Sequence, residues 1–338
     1  MHKQPLLNVK ELKTHFHTER GRVTAVDGVS FHVEEGEILG VVGESGCGKS
    51  VTSQSILRLF DEKHTAQYEG EINFRGTNLL QLSTDKMQEI RGNYIAMIFQ
   101  DPLSSLNPVY TIGYQIAESI LLHQKVSKKE AYAKAVEMLR LTGIPAPEKR
   151  VNEYPHQLSG GMQQRVMIAL ALSCQPKLLI ADEPTTALDV TIQSQILDLI
   201  VQLNQDLGMG VIFITHDLGV VAEICSRVVV MYLGQIVEEA DTDSLFTNPL
   251  HPYTNGLIKS IPQLDGDRSQ KLHVIKGVVP ALDNIPKGCR FAPRCPYADD
   301  LCKEKMPELK SITKSQKVRC WHADKIASEG REQYATSN

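Results

Sequence analysis

The chain has 338 residues, of which 42% are hydrophobic and 22% charged, and its net charge is −4 at pH 7. That length suggests about two domains, and the balance is that of an ordinary globular protein. It offers no overall basic field for nucleic acid and no apolar run of the roughly 18–20 residues that span a bilayer. Met1 to Lys10 lacks the continuous apolar region of a signal peptide, so the expected compartment is the cytosol.

From Leu7 to Glu37 short alternating stretches, among them Val29 to Val33, are broken at Asp27-Gly28 and Glu35-Gly36 and read as antiparallel strands with tight turns. Ile38 to Val42 reads as a buried strand. It runs into Gly43-Glu44-Ser45-Gly46-Cys47-Gly48-Lys49-Ser50, which fits G-x-x-x-x-G-K-[ST], and a helix-compatible Val51 to Phe60 follows. Strand, glycine loop and helix form a phosphate cradle: the glycines let successive N–H groups turn toward phosphate oxygens at the positive end of the helix. Lys49 reaches the β- and γ-phosphates, and the Ser50 hydroxyl is a ligand for Mg²⁺. The expected ligand is a nucleoside triphosphate.

Glu71 to Arg75 reads as a further strand, and Tyr94 to Phe99 as a buried one that delivers Gln100 at its carboxyl end, where ligands sit in open α/β sheets. Asp101 to Pro108 is a loop, and the spacing turns helical from Thr111 to Leu141, with a capping box Ser127-Lys-Lys-Glu130. This is expected to be a helical insert, about residues 101–160. Leu158-Ser159-Gly160-Gly161-Met162-Gln163-Gln164 opens the next helix; Ser159 suits an N-cap, and the glycines leave N–H groups open as a second anion-binding terminus. Leu178 to Ala181 is a strand running into Asp182-Glu183, a carboxylate placed to position Mg²⁺ beside one that polarises a water. A helix from about Thr191 to Leu207, the strand Val211 to Thr215 leading into His216-Asp217, and a hairpin from Arg227 to Glu239 complete the pattern. A boundary near Asn248-Pro249 gives expected domains of 1–248 and 249–338.

In these motifs and their order the chain resembles the ATP-binding cassette family from Leu7 to Glu239. Walker A matches at Gly43 to Ser50, the Q-loop at Gln100, the signature at Leu158 to Gln164, Walker B at Leu178 to Glu183, the D-loop at Ala187-Leu188-Asp189 and the switch histidine at His216. The resemblance implies a P-loop α/β core with an antiparallel β subdomain, and two domains holding two ATP head to tail. Each nucleotide would lie between one subunit's Walker motifs and the other's signature residues Ser159, Gly160, Gly161 and Gln163. It implies Glu183 as general base, His216 on the γ-phosphate, Ser50, Asp182 and Gln100 around Mg²⁺, and an aromatic stacked on adenine, for which Phe16 is the candidate.

Gln100 to Gln115, His251-Pro-Tyr-Thr254 and Pro286 to Pro296 resemble the dipeptide and oligopeptide importer branch of that family. The resemblance implies an ATPase subunit on the cytoplasmic face of the membrane. Its expected partners are a second, similar ATPase subunit, two permease subunits and an extracytoplasmic substrate-binding protein; nucleic acid is not among them. The uncharged stretch from Pro102 to Ala117 suits a buried protein contact with the permease. Nickel, glutathione and antimicrobial-peptide systems are alternative cargo classes within the branch. Cassette ATPases that act on DNA or ribosomes typically carry a coiled coil or two cassettes, and this chain has neither feature. A hydrolysis-poor subunit is opposed by Glu183, His216 and the signature.

Of seven cysteines, Cys47, Cys174 and Cys225 are scattered, whereas Cys289, Cys295, Cys302 and Cys320 crowd toward the C-terminus. In a reducing compartment such a cluster points to metal. It lacks the short C-x₂₋₄-C pair of zinc sites and fits neither usual ferredoxin pattern, which leaves zinc and iron–sulfur both open. The resembled branch implies a [4Fe-4S] cluster on these four residues, with Zn²⁺ as the alternative; His322, two residues past Cys320, is a substitute ligand by position alone and reads rather as a surface residue.

Overall fold

The computed structural model describes residues 4–19, 21–101, 105–186, 188–261 and 274–328. Its contacts divide the chain into two interleaved units. One is built from Val33–Ile38 and Phe74–Ile214 with the N-terminal residues, the other from Leu7–His32, Leu39–Asn73 and the chain from Thr215 onward.

In the first unit the strands Ile95–Ile98, Leu178–Asp182 and Gly210–Thr215 run parallel, with Ile95 beside Leu178 and Leu178 beside Gly210. Every residue of Leu178–Asp182 and Gly210–Thr215 is buried. Continuous Leu, Ile, Val and Phe therefore replace alternation, as a parallel sheet covered on both faces requires. This register brings Gln100 and Glu183 to the same end of adjacent strands. The helical region Thr111–Leu141 is two helices, Ile112–His123 and Lys128–Leu141, the second opened by the expected capping box and starting a few residues before Ala131. The break follows from local capping. Gln124 leaves the helical conformation, and Ser127 restarts it by a reciprocal bond with Glu130. Gly113 is required there, because a Cβ would meet Val151 Cγ2 at 2.3 Å where the Gly113 N–H bonds the Val151 carbonyl. Gly160–Leu172 and Val190–Leu207 complete this unit's longer helices.

In the second unit, the expected short strands between Leu7 and Glu37 are two long ones, Leu7–Thr18 and Gly21–Val33, joined in one sheet with Ala66–Phe74. A second set of strands carries the glycine loop. Ile38–Val42 lies parallel to Arg227–Tyr232, which pairs antiparallel with Gln235–Asp241. Gln316–Val318 pairs antiparallel with Gln235–Asp241, and Lys310–Ser311 with Gln316–Val318. The C-terminal segment thus extends the sheet of the glycine loop, so the limit expected near residue 249 separates residues that share one sheet. The helix after the loop, Lys49–Ile56, ends short of Phe60 because Leu57 caps it and Arg58 turns left-handed.

Buried Glu238 ties this extension down. Its carboxylate accepts the N–H groups of Leu250 and His251 at 2.7 and 2.9 Å and the Gln316 amide at 2.9 Å. Burial raises its pKa, while these bonds oppose the rise. His251 Nδ1 accepts the Tyr253 N–H at 3.1 Å and so caps the helix Pro252–Lys259.

Candidate functional site

The loop Gly43–Ser50 owes its path to glycine. Gly43, Gly46 and Gly48 have φ of 152°, 77° and 101°. A Cβ on Gly43 would lie 2.3 Å from the Met231 carbonyl oxygen, so the loop passes against the neighbouring strand where only glycine fits. Lys49 is 5% exposed, and its Nζ donates to the Gly43 and Glu44 carbonyls at 2.7 and 3.1 Å. A buried ammonium needs acceptors, and these hold the charge within the curl of the loop. Cys47 Sγ lies 3.8 Å from Lys49 Nζ; burial raises the thiol's pKa although the ammonium opposes it.

In the first unit the two residues at the strand ends meet. Gln100 Nε2 donates to Glu183 Oε2 at 3.1 Å, and Thr186 Oγ1 donates to the same oxygen at 3.0 Å. Glu183 has a left-handed φ of 48°, and its N–H bonds the Ile214 carbonyl at 2.9 Å. Such a backbone is uncommon for a residue with a side chain and aims the carboxylate off the end of the sheet. Asp182, one residue earlier, is buried within the strand. Thr186 is a partner that the motif pattern did not single out; a hydroxyl three residues after a candidate base is the signal that would have found it.

Ser159 precedes the helix Gly160–Leu172 in extended backbone, but its hydroxyl makes no capping bond there. Gly160 has open space where a Cβ would stand, whereas on Gly161 one would meet Ile192 Cγ2 at 2.9 Å. Gln163 is turned inward, its amide donating to the Pro155 carbonyl at 2.8 Å and that of Leu158 at 3.2 Å. It therefore shapes the signature turn and does not project from it. Ala187 of the D-loop lies outside the described residues; Asp189 caps the helix Val190–Leu207 through the Ile192 N–H at 2.9 Å. His216 is exposed just after the strand Gly210–Thr215, and Asp217 caps the helix Leu218–Ile224. Phe16 is half-buried on the strand Leu7–Thr18, its ring edge-on to Phe60 with centroids 4.8 Å apart.

The four C-terminal cysteines are free thiols. Burial, and secondarily the neighbouring sulfurs, push the Cys320 thiol up to about 12, and Cys295 rises to about 11 in the same way. Among the described residues, the group whose ligand atoms lie within 4.8 Å of one another is Asp299, Cys302 and His322. His322 Nε2 is 3.1 Å from Asp299 Oδ2 and 3.5 Å from Cys302 Sγ.

Comparison with known proteins bears on the whole chain. The family model described as ABC transporter matches residues 26–186, and that described as oligopeptide/dipeptide transporter, C-terminal region, matches residues 237–302. The chain is 56% identical to the probable peptide ABC transporter ATP-binding protein y4tR of Sinorhizobium fredii, over 96% of each chain. It is 52% identical to the oligopeptide transport ATP-binding protein AppD of Bacillus subtilis, over 97% of this chain and 99% of AppD. With the dipeptide transport ATP-binding protein DppD of Haemophilus influenzae the identity is 50%, over 93% of this chain and 94% of DppD. The solved dimeric ATP-binding cassette MJ0796 bound to ADP and Pi superposes with a TM-score of 0.63 at 29% identity, covering 70% of this chain and 98% of that one.

Proposed function

The chain belongs to the family of ATP-binding proteins of peptide ABC transporters, and from that premise we propose that it hydrolyses ATP to drive peptide uptake through partner permeases. The bond of Gln100 to Glu183 carries this reading: it joins the residue after one parallel strand to the candidate base after the next, as a hydrolytic centre needs. The N–H groups of Gly43–Ser50 and Lys49 bind the phosphates, and Ser50 and Asp182 would hold Mg²⁺, which when bound would supply charge neutralisation for phosphoryl transfer. Glu183, oriented by Gln100 and Thr186, takes a proton from the attacking water as its oxygen bonds the γ-phosphorus; the bridging oxygen leaves on ADP. His216 bears on the γ-phosphate. Ser159, Gly160 and Gly161 serve the nucleotide of a second ATPase subunit, with which the chain pairs. Phe16 is assigned to adenine, at the cost of its contact with Phe60.

The permease is expected to dock near the insert. Val109 and Leu122 are 69% and 76% exposed, and Tyr110 and Tyr114 stack with centroids 4.7 Å apart on the same stretch. Exposed aromatic and aliphatic residues together suit a protein contact at the cytoplasmic membrane face. A substrate-binding protein on the opposite side of the membrane completes the assembly. Peptides are the favoured cargo because the relatives are named for peptide, oligopeptide and dipeptide transport.

Cys289, Cys295, Cys302 and Cys320 are proposed as the ligands of a [4Fe-4S] cluster, with Zn²⁺ as the alternative; the described group whose ligand atoms lie within 4.8 Å of one another is instead Asp299, Cys302 and His322. The cluster would staple a segment with little apolar core of its own. Anaerobic purification of the full chain should yield stoichiometric iron and broad visible absorbance; stoichiometric zinc without iron would reverse the assignment. ATPase assay of the chain with its partners, with and without Lys49→Ala, tests the nucleotide reading: the substitution is expected to abolish turnover.

A further inference from the structure

The glycine loop is gripped by the segment that carries the cysteines. Glu44 is held twice. Its N–H donates to the Tyr253 hydroxyl at 2.7 Å, and its carboxylate receives Arg294 Nη1 and Nη2 at 2.6 and 3.0 Å. The Arg294 side chain is 3% exposed, and all of its nitrogens are engaged. Nε donates to the Lys276 carbonyl at 3.0 Å, Nη2 also reaches the Ile275 carbonyl at 3.4 Å, and Nη1 reaches the Tyr232 hydroxyl at 3.5 Å. The guanidinium also lies 5.8 and 5.9 Å from the ring centroids of Tyr232 and Phe291. Tyr253 is fully buried against the same two rings, at 4.8 and 5.4 Å. This is a rigid fork aimed at one loop residue.

A second arginine repeats the arrangement beneath the loop. Arg290 donates to the Asp27 carboxylate and to the Leu233 carbonyl. The adjacent Gly234 N–H bonds the Cys47 carbonyl at 2.8 Å, and the Gly234 carbonyl accepts the Asp27 N–H at 2.9 Å. Arg290 follows Cys289 and Arg294 precedes Cys295 in the chain. Both ends of this short stretch therefore bear on the phosphate-binding loop, one directly through Glu44 and one through the turn that supports Cys47.

We propose that Arg294 and Tyr253 are positioning residues for nucleotide binding: they fix Glu44, and through it the curl of Gly43–Ser50, so that ATP affinity depends on the conformation of the C-terminal cysteine segment. The reasoning is one of preorganisation. A loop that must present successive N–H groups to phosphate binds more weakly when it has to be ordered first, and Arg294 and Tyr253 order it in advance. The proposal rests on the reading of this loop as the nucleotide site.

Calorimetric titration of the full chain with Mg-ATP tests it. Tyr253→Phe, which keeps the buried ring and deletes the acceptor, and Arg294→Met are each expected to raise Kd about 5- to 150-fold, the range of typical site-to-site couplings. Arg294→Lys should recover only part of the loss, because one ammonium cannot bridge both carboxylate oxygens. Glu44→Gln combined with Arg294→Met should lose no more than the worse single variant, as two members of one path do. Amides from Glu44 to Gly48 should exchange faster in Tyr253→Phe and Arg294→Met while those of Gln235–Asp241 hold; loosening of both regions would mean a general loss of fold and would overturn the proposal. Kd within twofold of the parent for Tyr253→Phe and Arg294→Met, with unchanged loop exchange, would also overturn it. Should Arg294→Met fail to fold, Tyr253→Phe decides. A parent chain that binds no nucleotide would instead defeat the reading of the loop itself.

Discussion

At the scale of single residues, hydrolysis depends on Glu183 and on the groups that aim it. Gln100 and Thr186 both donate to one carboxylate oxygen of Glu183, which fixes the orientation of the carboxylate. Glu183→Gln should cut turnover by about 10²–10⁴-fold, the usual contribution of a general base, and leave ATP bound; single-turnover hydrolysis checks this, and near-normal turnover would remove Glu183 from the role. Thr186→Val, which deletes one bond to the carboxylate, should lower turnover by a smaller factor with little change in ATP affinity, read from kcat and KM separately. Gly43→Ala should abolish nucleotide binding, because the Cβ would collide with the Met231 carbonyl and the φ of 152° strains any side chain. Retained ATP binding by that variant would show that the loop can shift away from Met231.

At the scale of elements, the helix Pro252–Lys259 depends on a neutral histidine. Burial first, then the Arg319 charge, lower the His251 pKa from 6.5 to about 3. The unfolded chain therefore takes up a proton that the folded chain refuses. The contribution is complete above about pH 6.5 and is lost as pH falls toward 3, by about 1.4 kcal/mol per unit. Glu238, whose pKa burial raises, has the opposite sign: its contribution is greatest at low pH and is lost as pH rises through its folded value. His251→Asn keeps a side-chain acceptor for the Tyr253 N–H and removes the titration. Its denaturation midpoint should fall less than the parent's from about pH 7 to about pH 5; equal falls would show that His251 does not set the acid sensitivity.

The same scale shows what was legible in the sequence. Strand identity was clear for Leu178–Asp182 and Gly210–Thr215, because burial on both faces demands unbroken apolar runs. The capping box at Ser127 was equally clear, since its chemistry is local. The place of the C-terminal strands was not: Gln316–Val318 is three residues long, and it is a strand through pairing with Glu238–Ala240 and Lys310–Ser311. The glycine loop could be read because eight consecutive residues carry its whole chemistry. The grip of Arg294 on Glu44 could not, since they are 250 positions apart in the chain and the pairing exists only through tertiary packing.

At the scale of the molecule, the proposed transport work depends on partners. No described helix is long and apolar enough to cross a membrane, and the exposed Val109, Tyr110, Tyr114 and Leu122 are where the permease is proposed to dock. Val109→Asp should therefore uncouple the assembly: peptide uptake falls while ATP binding by the chain itself keeps its parent affinity. Loss of both together would place Val109 in the fold and not at the contact.

ATP turnover by this family of proteins is coupled to peptide movement. The most direct measurement is ATP hydrolysis by the chain reconstituted in lipid with its permeases and partner ATPase, as a binding protein loaded with dipeptides, longer peptides or nickel chelate is added. Stimulation by a peptide-loaded binding protein, absent with Glu183→Gln, is the predicted result. Turnover in an intact assembly that responds to none of the loaded binding proteins, or only to the metal complex, would contradict it.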